Sequence, residues 1–325
     1  CFRGAEADRD QEHVRKICSM WDVPLLDRKI DVRRIAEEKG FTPEEAGREV
    51  RYSLFREAAE KFGCGKIAVA QNMNDQAETV LMNLIRGAGT EGLKGMAFRR
   101  GDIYRPLLSI SREEIERYCT NRQIEYVQDS TNFEPIYARN KIRLQLLPYI
   151  RENFNSAIAD VLYRLSRMAS EENELLEQMA KNALNKLRVP EADTGMNRAG
   201  RIKIQAAGLM DLHPALAKRV LRSAVREIAG DLKGIERKHI EAALKVAQQH
   251  TGSACQLPNW IRVEKSYGWL IIMKVVEIRQ KRTAIDGMAV GGSEESPIRK
   301  DIEKKGQKCY HILSLIHISE PTRPY

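Results

Sequence analysis

The first half of the chain alternates between two patterns of apolar residues. Helical spacing of the apolar positions predicts helices at residues 3–21, at 41–63, between Asp75 and Gly87, and from Ser111 to about Cys119. Short apolar runs predict strands at 23–32, 66–70 and 124–129. Helices and strands that alternate over short links are typical of the α/β class, in which helices cover a parallel sheet.

The second half has a different pattern. From Arg139 a long helix is expected, with interruptions near Pro148 and around residues 154–155. Residues 191–200 form a polar loop that we interpret as a domain boundary. The pattern that follows predicts a small α+β module, with a strand at RIKIQAAG, helices at 214–228 and 236–248, and a strand pair at WIRVEK and WLIIMK.

These patterns define a fold class and a domain order. The predicted class is α/β, with a parallel sheet and flanking helices, followed by a long helix and a smaller α+β domain. The predicted segments are an α/β domain at 1–150, a helical connector at 151–190, an α+β domain at 191–278, a linker or partial further domain at 279–312, and a tail at 313–325 that resembles a translated sequencing adaptor.

Capping signals mark where three of the helices begin. Two capping boxes are expected, Thr42 with Glu45 and Ser111 with Glu114. In the stretch QNMNDQAETVLMNLIRGAG we expect Asp75 to be the N-cap, with Glu78 completing a third box.

The helix that starts near Asp75 carries a row of polar residues. Gln76, Thr79, Asn83 and Arg86 follow at spacings of three, four and three, which places them on one stripe. The helix follows a predicted strand through a short loop, so its start lies at the carboxyl edge of the sheet, where open α/β folds bind ligands. Two interpretations remain open: a phosphate site that uses Arg86, or a capped surface helix that ends at a glycine.

Composition and charge narrow the function classes. The 325-residue chain has a net charge of +9 and a pI of about 9.2, which suits a polyanionic partner such as nucleic acid but is equally compatible with a merely basic surface. Its six cysteines contain no C-x-x-C pair, so neither a zinc site nor a disulfide framework is indicated, and a cytoplasmic location is expected. No apolar run reaches membrane-spanning length.

Three stretches together resemble tRNA(Ile)-lysidine synthases, a family of N-type ATP pyrophosphatases of the PP-loop type. They are NDQAETVLMNLIRGAGTEGLKGM, YRPLLSISREEIE and DSTNFEPIYARNKIRLQLLP. The opening RGAEADRDQEHVR is similar too, so that the resemblance extends over about residues 3–148. GIERKHIEAALKV and QLPNWIRVEK look more loosely like the substrate-recognition domain of that family.

The resemblance implies a Rossmann-like PP-loop fold and an ATP-dependent carbon–nitrogen ligase. Enzymes of this family use ATP, which we expect to act with Mg²⁺, to adenylate the C2 carbonyl oxygen of the wobble cytidine in tRNA(Ile) with a CAU anticodon. The ε-amine of L-lysine then displaces AMP and leaves lysidine. The implied partners are therefore ATP, L-lysine and tRNA(Ile), without a membrane, and the resemblance also suggests a homodimer.

The resemblance assigns site residues by position. Asp75, Gln76, Glu78 and Thr79 match a D-Q-x-E-T element beside the nucleotide and lysine sites. Asp75 and Arg86 are the expected catalytic residues, and both are expected to face one triphosphate.

Two further elements concern phosphates. Gly87 and Gly89 complete an R-G-x-G loop that begins at Arg86, and are expected to bind ATP or lysine. Arg139, Asn140 and Arg143 match R-N-x-I-R and are expected at the ATP phosphates or the tRNA. The alternative for the two arginines is a salt-bridge pair at a helix start. No metal-binding residue is predicted.

The chain departs from the family pattern in three places. Gln71 stands where the family commonly has histidine, and Asn74 replaces a frequent aspartate. The Ser-Gly-Gly-x-Asp-Ser phosphate loop, which in the family precedes the RGAEADRD helix, is not in the sequence, so we expect an N-terminally truncated chain that is inactive by itself. Asp129 matches a further family element to which no role is assigned.

Two other functions remain open. The chain can be a non-catalytic tRNA-binding protein, which its basic charge permits. It can also be another PP-loop tRNA-modifying enzyme, such as a cytidine thiolase. That chemistry resembles one that needs paired cysteines or an iron–sulfur cluster, and the sequence offers no such pair.

Overall fold

The computed structural model describes residues 5–28, 30–127, 138–189 and 200–275. The chain divides into two compact units, and the division falls after Ser170, inside a helix that spans Ile158–Leu187. Residues 191–199 of the predicted boundary loop and all residues after 275 lie outside the described part, so the domain limits drawn from the sequence stay predictions.

Helices form most of the described part of the first unit. They are α1 (Ala5–Met20), α2 (Val32–Lys39), α3 (Pro43–Lys61), α4 (Met73–Ile85), α5 (Thr90–Leu93), α6 (Arg112–Asn121), α7 (Ala138–Lys141), a π-helical segment (Ile142–Leu146), α8 (Leu147–Asn153) and the beginning of α9 (Ile158–Leu187). The capping boxes expected at the starts of α3 and α6 are both confirmed. Within the described residues, no helix is long and apolar enough to cross a membrane.

A small mixed sheet completes this unit. Its strands are β1 (Ile67–Ala68), β2 (Arg99–Arg100) and β3 (Ile103–Tyr104), in the order β1-β3-β2. The β1–β3 pair is parallel and the β2–β3 pair is antiparallel. The α/β class and the strand predicted at 66–70 are therefore confirmed, although the described sheet is mixed and not purely parallel. Phe55 of α3 packs with Ile67 and Ile103 in its core.

Two predicted strands are wrong in the described residues. Residues 23–28 form no strand, and Asp31 caps α2 instead by accepting from the N–H groups of Arg33 and Arg34. Residues 124–127 form no strand either, because Gln123 adopts a left-handed φ of 55° and Ile124 still donates to the Cys119 carbonyl at the end of α6. The remainder of that predicted strand, residues 128–129, lies outside the described part.

The predicted interruption near Pro148 is present as a widened turn. Proline has no N–H to donate, and the N–H of Leu147 bonds to the Ile142 carbonyl, five residues back. The second predicted interruption is also confirmed, since α8 ends at Asn153 and α9 begins at Ile158.

The second unit is an antiparallel sheet covered by helices. The strands β4 (Arg201–Gln205), β5 (Ala254–Leu257), β6 (Ile261–Ser266) and β7 (Trp269–Lys274) pair in the order β4-β7-β6-β5. The helices are α10 (Ala206–Met210), α11 (Pro214–Ala229) and α12 (Arg237–Gln248), together with the end of α9. The two helices and the strand pair predicted here are confirmed. The strand predicted at RIKIQAAG ends at Gln205, because residues 206–208 belong to α10, and neither α10 nor β5 was predicted.

This sheet packs against its helices through alternate residues of its strands. Val263 lies opposite Ile272 in the β6–β7 pair, and both side chains are buried in the same core as Leu221 and Val225 of α11. Because successive side chains of a strand point to opposite faces, Ile271 lies on the other face and is only partly buried.

Neighbouring isoleucines of β7 therefore provide a stability test. We expect Ile272→Ala to lower the free energy of unfolding by about 2–5 kcal/mol, since it leaves a cavity in a closed core. Ile271→Ala, a matched change in the same strand, should cost less than half as much. Urea unfolding measures both, and equal losses would contradict the assigned orientation of β7.

Candidate active site

The start of α4 is built differently from the sequence prediction. Asn72 is the N-cap: its Oδ1 accepts from the N–H of Asp75 at 3.1 Å, and Asp75 Oδ2 accepts from the N–H of Asn72 at 3.0 Å. The prediction that Asp75 is the N-cap with Glu78 as its partner is wrong. An asparagine three residues before Asp75 forms the capping box instead, so Glu78 is available for partners far along the chain.

Glu78 and Asp75 bind two arginines that lie more than sixty residues later. Arg139 donates through Nε to Glu78 Oε2 at 2.6 Å and through Nη2 to Asp75 Oδ1 at 3.2 Å. Arg143 donates through Nε to Glu78 Oε1 at 2.5 Å and through Nη2 to Glu78 Oε2 at 3.0 Å and Asp75 Oδ1 at 3.1 Å. These four residues form what we call the ion-pair network, which ties α4 to α7 and the π-helical segment.

The carboxylates of this network are more deeply buried than its guanidiniums. The side chain of Glu78 is 2% exposed, while Arg139 and Arg143 keep about a third of their surface in solvent, at 29% and 34%. Burial by itself lowers the pKa of Arg143, but its hydrogen bond to Glu78 and the charges of Glu78 and Asp75 outweigh that effect and raise the pKa. The Arg143 guanidinium is therefore permanently charged.

The network confirms the salt-bridge alternative for both arginines. Their predicted contact with ATP phosphates or tRNA stays a prediction. Asn140 lies between them in α7 and is partly buried. Asp129, to which no role was assigned, lies outside the described residues.

Gln76 is fixed by the loop that follows α5. Its side chain is almost fully buried; Nε2 donates to the carbonyls of Lys94 and Met96 and to Ser166 Oγ, and Oε1 accepts from the N–H of Met96 at 2.8 Å. Gly95 adopts a left-handed φ of 59° and lies next to the Gln76 amide. A Cβ added at Gly95 would lie 2.7 Å from that amide. Gln76 thus has a structural role that the polar stripe did not indicate, and its predicted ligand role stays a prediction.

Two further residues of the polar stripe also form hydrogen bonds within the protein. Thr79 Oγ1 donates to the Asp75 carbonyl at 2.8 Å, and Asn83 Nδ2 donates to the Gly92 carbonyl at 2.8 Å. These bonds lie within α4 and between α4 and α5. The stripe is therefore largely an internal seam, and only its last member, Arg86, is exposed.

Arg86 lies at the opposite end of α4 from Asp75. It is the C-cap residue, and Gly87 follows with a left-handed φ of 73°, as the surface-helix alternative predicted. Gly89 is the N-cap of α5. A helix advances by about 1.5 Å per residue, so Arg86 and Asp75 are separated by roughly 16 Å along the axis. Asp75 is not among the residues that line the cavity beside Arg86, and the expectation that both residues face one triphosphate stays a prediction.

Sequence analysis missed a buried arginine at the edge of the sheet. Arg105 follows β3 directly and is 3% exposed; its Nε donates to Gln71 Oε1 and its Nη1 to the Ala97 carbonyl at 2.8 Å. Gln71, at the position where the family commonly has histidine, therefore serves as an acceptor for a buried cation. The two-residue strand β3 before Arg105 gives no periodic pattern, so the sequence carried no signal that identified this residue. Nearby, Asn74 Oδ1 accepts from the N–H of Arg112.

Neither metal clusters nor paired thiols occur in the part of the chain that the structure describes. No group of three or more His, Cys, Asp or Glu side chains there could hold a metal ion. Cys18, Cys64, Cys119 and Cys255 are free thiols. Burial raises the pKa of the Cys255 thiol, with Arg262 opposing the shift, so that this group is protonated near neutral pH.

Comparison with known proteins identifies the class. A family described as PP-loop domain matches residues 2–150. The chain is 40% identical over 269 residues to a tRNA(Ile)-lysidine synthase of Clostridium acetobutylicum, which covers 82% of this chain and 57% of that protein. Proteins of the same name from Clostridium tetani and Caldanaerobacter subterraneus are 37% and 36% identical and cover 82% and 84% of the chain and 56% and 57% of their own lengths.

Residues 2–150, which contain the ion-pair network, match the family of PP-loop domains. Within this family, the resemblance to tRNA(Ile)-lysidine synthases that the motifs predicted is confirmed, and the chain spans somewhat more than half the length of these relatives. Among solved structures, a U34-tRNA thiolase from Methanococcus maripaludis covers 52% of this chain and 59% of its own with 16% identity and a TM-score of 0.41, which is too low to support a conclusion.

Removal of one charge from the ion-pair network should destabilise the first unit. We expect Glu78→Gln to lower the free energy of unfolding by about 3 kcal/mol, because two partly buried guanidiniums lose their more buried carboxylate and keep only Asp75. Glu57→Gln, which removes an exposed pair with Arg28, should cost less than about 1 kcal/mol. Urea unfolding of both variants decides this, and equal small losses would contradict the assigned burial.

Gly95 provides a test of the Gln76 hydrogen bonds. Gly95→Ala and Gly101→Ala both place a side chain at a left-handed φ, but only the first meets another group, the Gln76 amide. We expect about 1 kcal/mol of lost stability at position 101 from the backbone alone, and at least about 2 kcal/mol at position 95. Thermal unfolding followed by circular dichroism measures the difference, which should disappear in a Gln76→Ala background.

Proposed function

We propose that the protein containing this chain is an ATP-dependent tRNA(Ile)-lysidine synthase. In the first step the C2 carbonyl oxygen of the wobble cytidine in a CAU anticodon attacks the α-phosphorus of ATP and releases pyrophosphate. In the second step the uncharged ε-amine of L-lysine attacks C2, the bond from C2 to the AMP oxygen breaks, and AMP leaves. This assigns the enzyme to the carbon–nitrogen ligases, acting in the cytoplasm.

One observation carries the proposal, namely the position of the ion-pair network. It lies in the first turns of α4, and a short loop connects α4 to the carboxyl end of β1. In α/β folds this edge is the usual ligand site, because helix N-termini and loops converge there. The similarity to lysidine synthases, at 36–40% identity, supplies the reaction.

The acidic half of the network suits the second substrate. Asp75 is 18% exposed, so its carboxylate is accessible while Glu78 behind it is not. We propose that Asp75, with Gln76, Glu78 and Thr79 behind it, lines the ATP and lysine sites. Asp75 attracts and orients the lysine, and Glu78 acts by holding the two arginines.

The basic half of the network suits the nucleotide. A guanidinium has five N–H donors, and Arg139 donates to the carboxylates through Nε and Nη2. Three donors remain, and the two on Nη1 can contact a phosphate without breaking the network. We propose that Arg139, Asn140 and Arg143 lie beside the ATP phosphates, with their arginines aimed by the carboxylates.

We propose a different assignment for Arg86, Gly87 and Gly89 from that of Asp75. Their separation from the network by the length of α4 favours contact with another part of the substrates, such as tRNA phosphates. Magnesium is expected to arrive with ATP, because Mg²⁺ in such sites is coordinated largely by phosphates and water with one or two carboxylates. A homodimer remains part of the proposal through the family resemblance.

A second function, that of a non-catalytic tRNA-binding protein, is favoured only by the net charge of +9. A substrate assay separates these possibilities. We expect the protein at its natural length, given ATP, L-lysine and tRNA(Ile) with a CAU anticodon, to form lysidine that mass spectrometry detects after nuclease digestion. Binding of the tRNA without product would support the binder, and a thiolated product with a sulfide donor would support a thiolase.

The role of Asp75 can be tested in the same assay. We expect Asp75→Asn to lower kcat/KM for lysine by at least about 100-fold, since an oriented charged group is lost at the site. Asp102→Asn, which removes a carboxylate from an exposed pair with Arg56, is the matched control and should change kcat/KM less than about twofold. Full activity of Asp75→Asn would exclude Asp75 from the site.

A further inference from the structure

An apolar cavity of about 600 Å³ lies in the first unit at the far end of α4. Ligand sites in proteins typically measure about 300–1,000 Å³, so a nucleotide fits within it. Met82 of α4 and Ile142 and Leu146 of the π-helical segment supply apolar lining. Arg86 and Lys141 also line it, so that two cations accompany an apolar surface.

An exposed aromatic side chain completes the lining. Tyr149 of α8 borders the cavity and is 56% exposed. Its ring packs edge-on against Phe154, with the centroids 5.9 Å apart, and Phe154 is exposed as well. Large aromatic side chains usually lose their surface to a core. An exposed tyrosine supported by a second ring is the kind of platform on which nucleobases stack.

The two cations differ from the arginines of the ion-pair network. In the part of the chain that the structure describes, neither Arg86 nor Lys141 forms an ion pair with a carboxylate. Their charge is therefore available to an anion from solution. Arg139 and Arg143, in contrast, already bind Asp75 and Glu78.

The cavity is separate from the proposed ATP site. ATP is assigned to the start of α4, next to the carboxyl end of β1, whereas Arg86 follows the last turn of that helix. Two cations around an apolar surface also fit a nucleic-acid strand better than a second copy of the chain. A symmetric contact would bring two cations from each copy into one interface, where like charges are costly.

We propose that the cavity lined by Arg86, Lys141 and Tyr149 binds unpaired nucleotides of an RNA, with a base stacked on Tyr149 and backbone phosphates at the two cations. The identity of that RNA, the anticodon loop of tRNA(Ile), rests on the proposed function. A base must leave its stack before chemistry at C2, and single-stranded loops present such bases to aromatic side chains.

RNA binding in the absence of ATP and lysine tests the site. The probe is the fluorescein-labelled anticodon stem-loop of tRNA(Ile), and fluorescence anisotropy gives the Kd. We expect Tyr149→Ala to raise the Kd by about 5- to 100-fold, whereas Tyr149→Phe keeps the ring and leaves the Kd within about twofold. Tyr118→Ala, which truncates a tyrosine of α6 with 57% exposure, is the matched control and should have no effect.

The salt dependence of RNA binding tests the two cations, Arg86 and Lys141. We expect Arg86→Gln and Lys141→Gln each to reduce the slope of log K against log salt by about 0.7, the value for one contact with a single-stranded phosphate. Arg100→Gln, which removes an exposed charge from β2, should leave the slope unchanged. A fully paired RNA of the same length should not respond to Tyr149→Ala, because it offers no free base to stack.

The outcomes separate this site from the proposed reaction. Loss of affinity with Tyr149→Ala, but not with Tyr118→Ala, supports the site even if no lysidine is formed. Unchanged affinity of Tyr149→Ala overturns the site even if lysidine is formed, and so does an unaltered chain that binds no stem-loop at low salt. A change in sedimentation coefficient with Tyr149→Ala, without a change in Kd, assigns the surface to a second copy and also overturns the proposal.

Discussion

The ion-pair network between α4 and the helix that begins at Ala138 is the constraint on which the first unit depends. Glu78 is almost fully buried, and a buried carboxylate is tolerated only when it is paired and hydrogen-bonded. Arg139 and Arg143 meet that requirement from a part of the chain more than sixty residues away. The same pairing fixes the positions of the two guanidiniums, so one interaction both stabilises the fold and organises the edge of the sheet where a nucleotide is expected.

The two ends of α4 perform different tasks in this account. The N-terminal end holds the network and, through Gln76, the loop at Gly95. The C-terminal end, at Arg86 and Gly87, borders an apolar cavity with available positive charge. A single helix therefore connects the proposed reaction site to the proposed RNA-binding surface. Because the helix is rigid, the distance between these two sites is set by its length.

Local sequence patterns predicted helices correctly where no long-range contact changed the structure. The capping boxes of α3 and α6 and the amphipathic pattern of α11 predicted those elements correctly. The α/β class and the PP-loop motifs were also apparent. The segment at 23–32 failed because its apolar residues suggested a strand while Asp31 starts a helix there. Strands of two residues, such as β2 and β3, are too short to produce a periodic pattern.

The candidate site was predicted in composition but not in geometry. The motifs identified Asp75, Glu78, Arg139 and Arg143 as site residues. The capping-box pattern, however, paired Glu78 with Asp75, because the spacing of residues in a sequence does not reveal long-range partners. Helical spacing placed Arg86 on the stripe with Gln76, yet a stripe continues along a helix and does not imply a shared cavity. The burial of Arg105 was beyond the sequence because it depends on Gln71 and Ala97 being brought together by the sheet edge.

The coupling between the two halves of the network is the most direct test of its central role. A double-mutant cycle with Glu78→Gln, Arg143→Gln and the combined variant, followed by urea unfolding, isolates that coupling. Contacting residues in one ion-pair network typically couple by about 0.5–3 kcal/mol, and the burial of Glu78 predicts a value in the upper half of that range. Additive losses, with a coupling near zero, would show that the two residues do not depend on each other and would contradict the account.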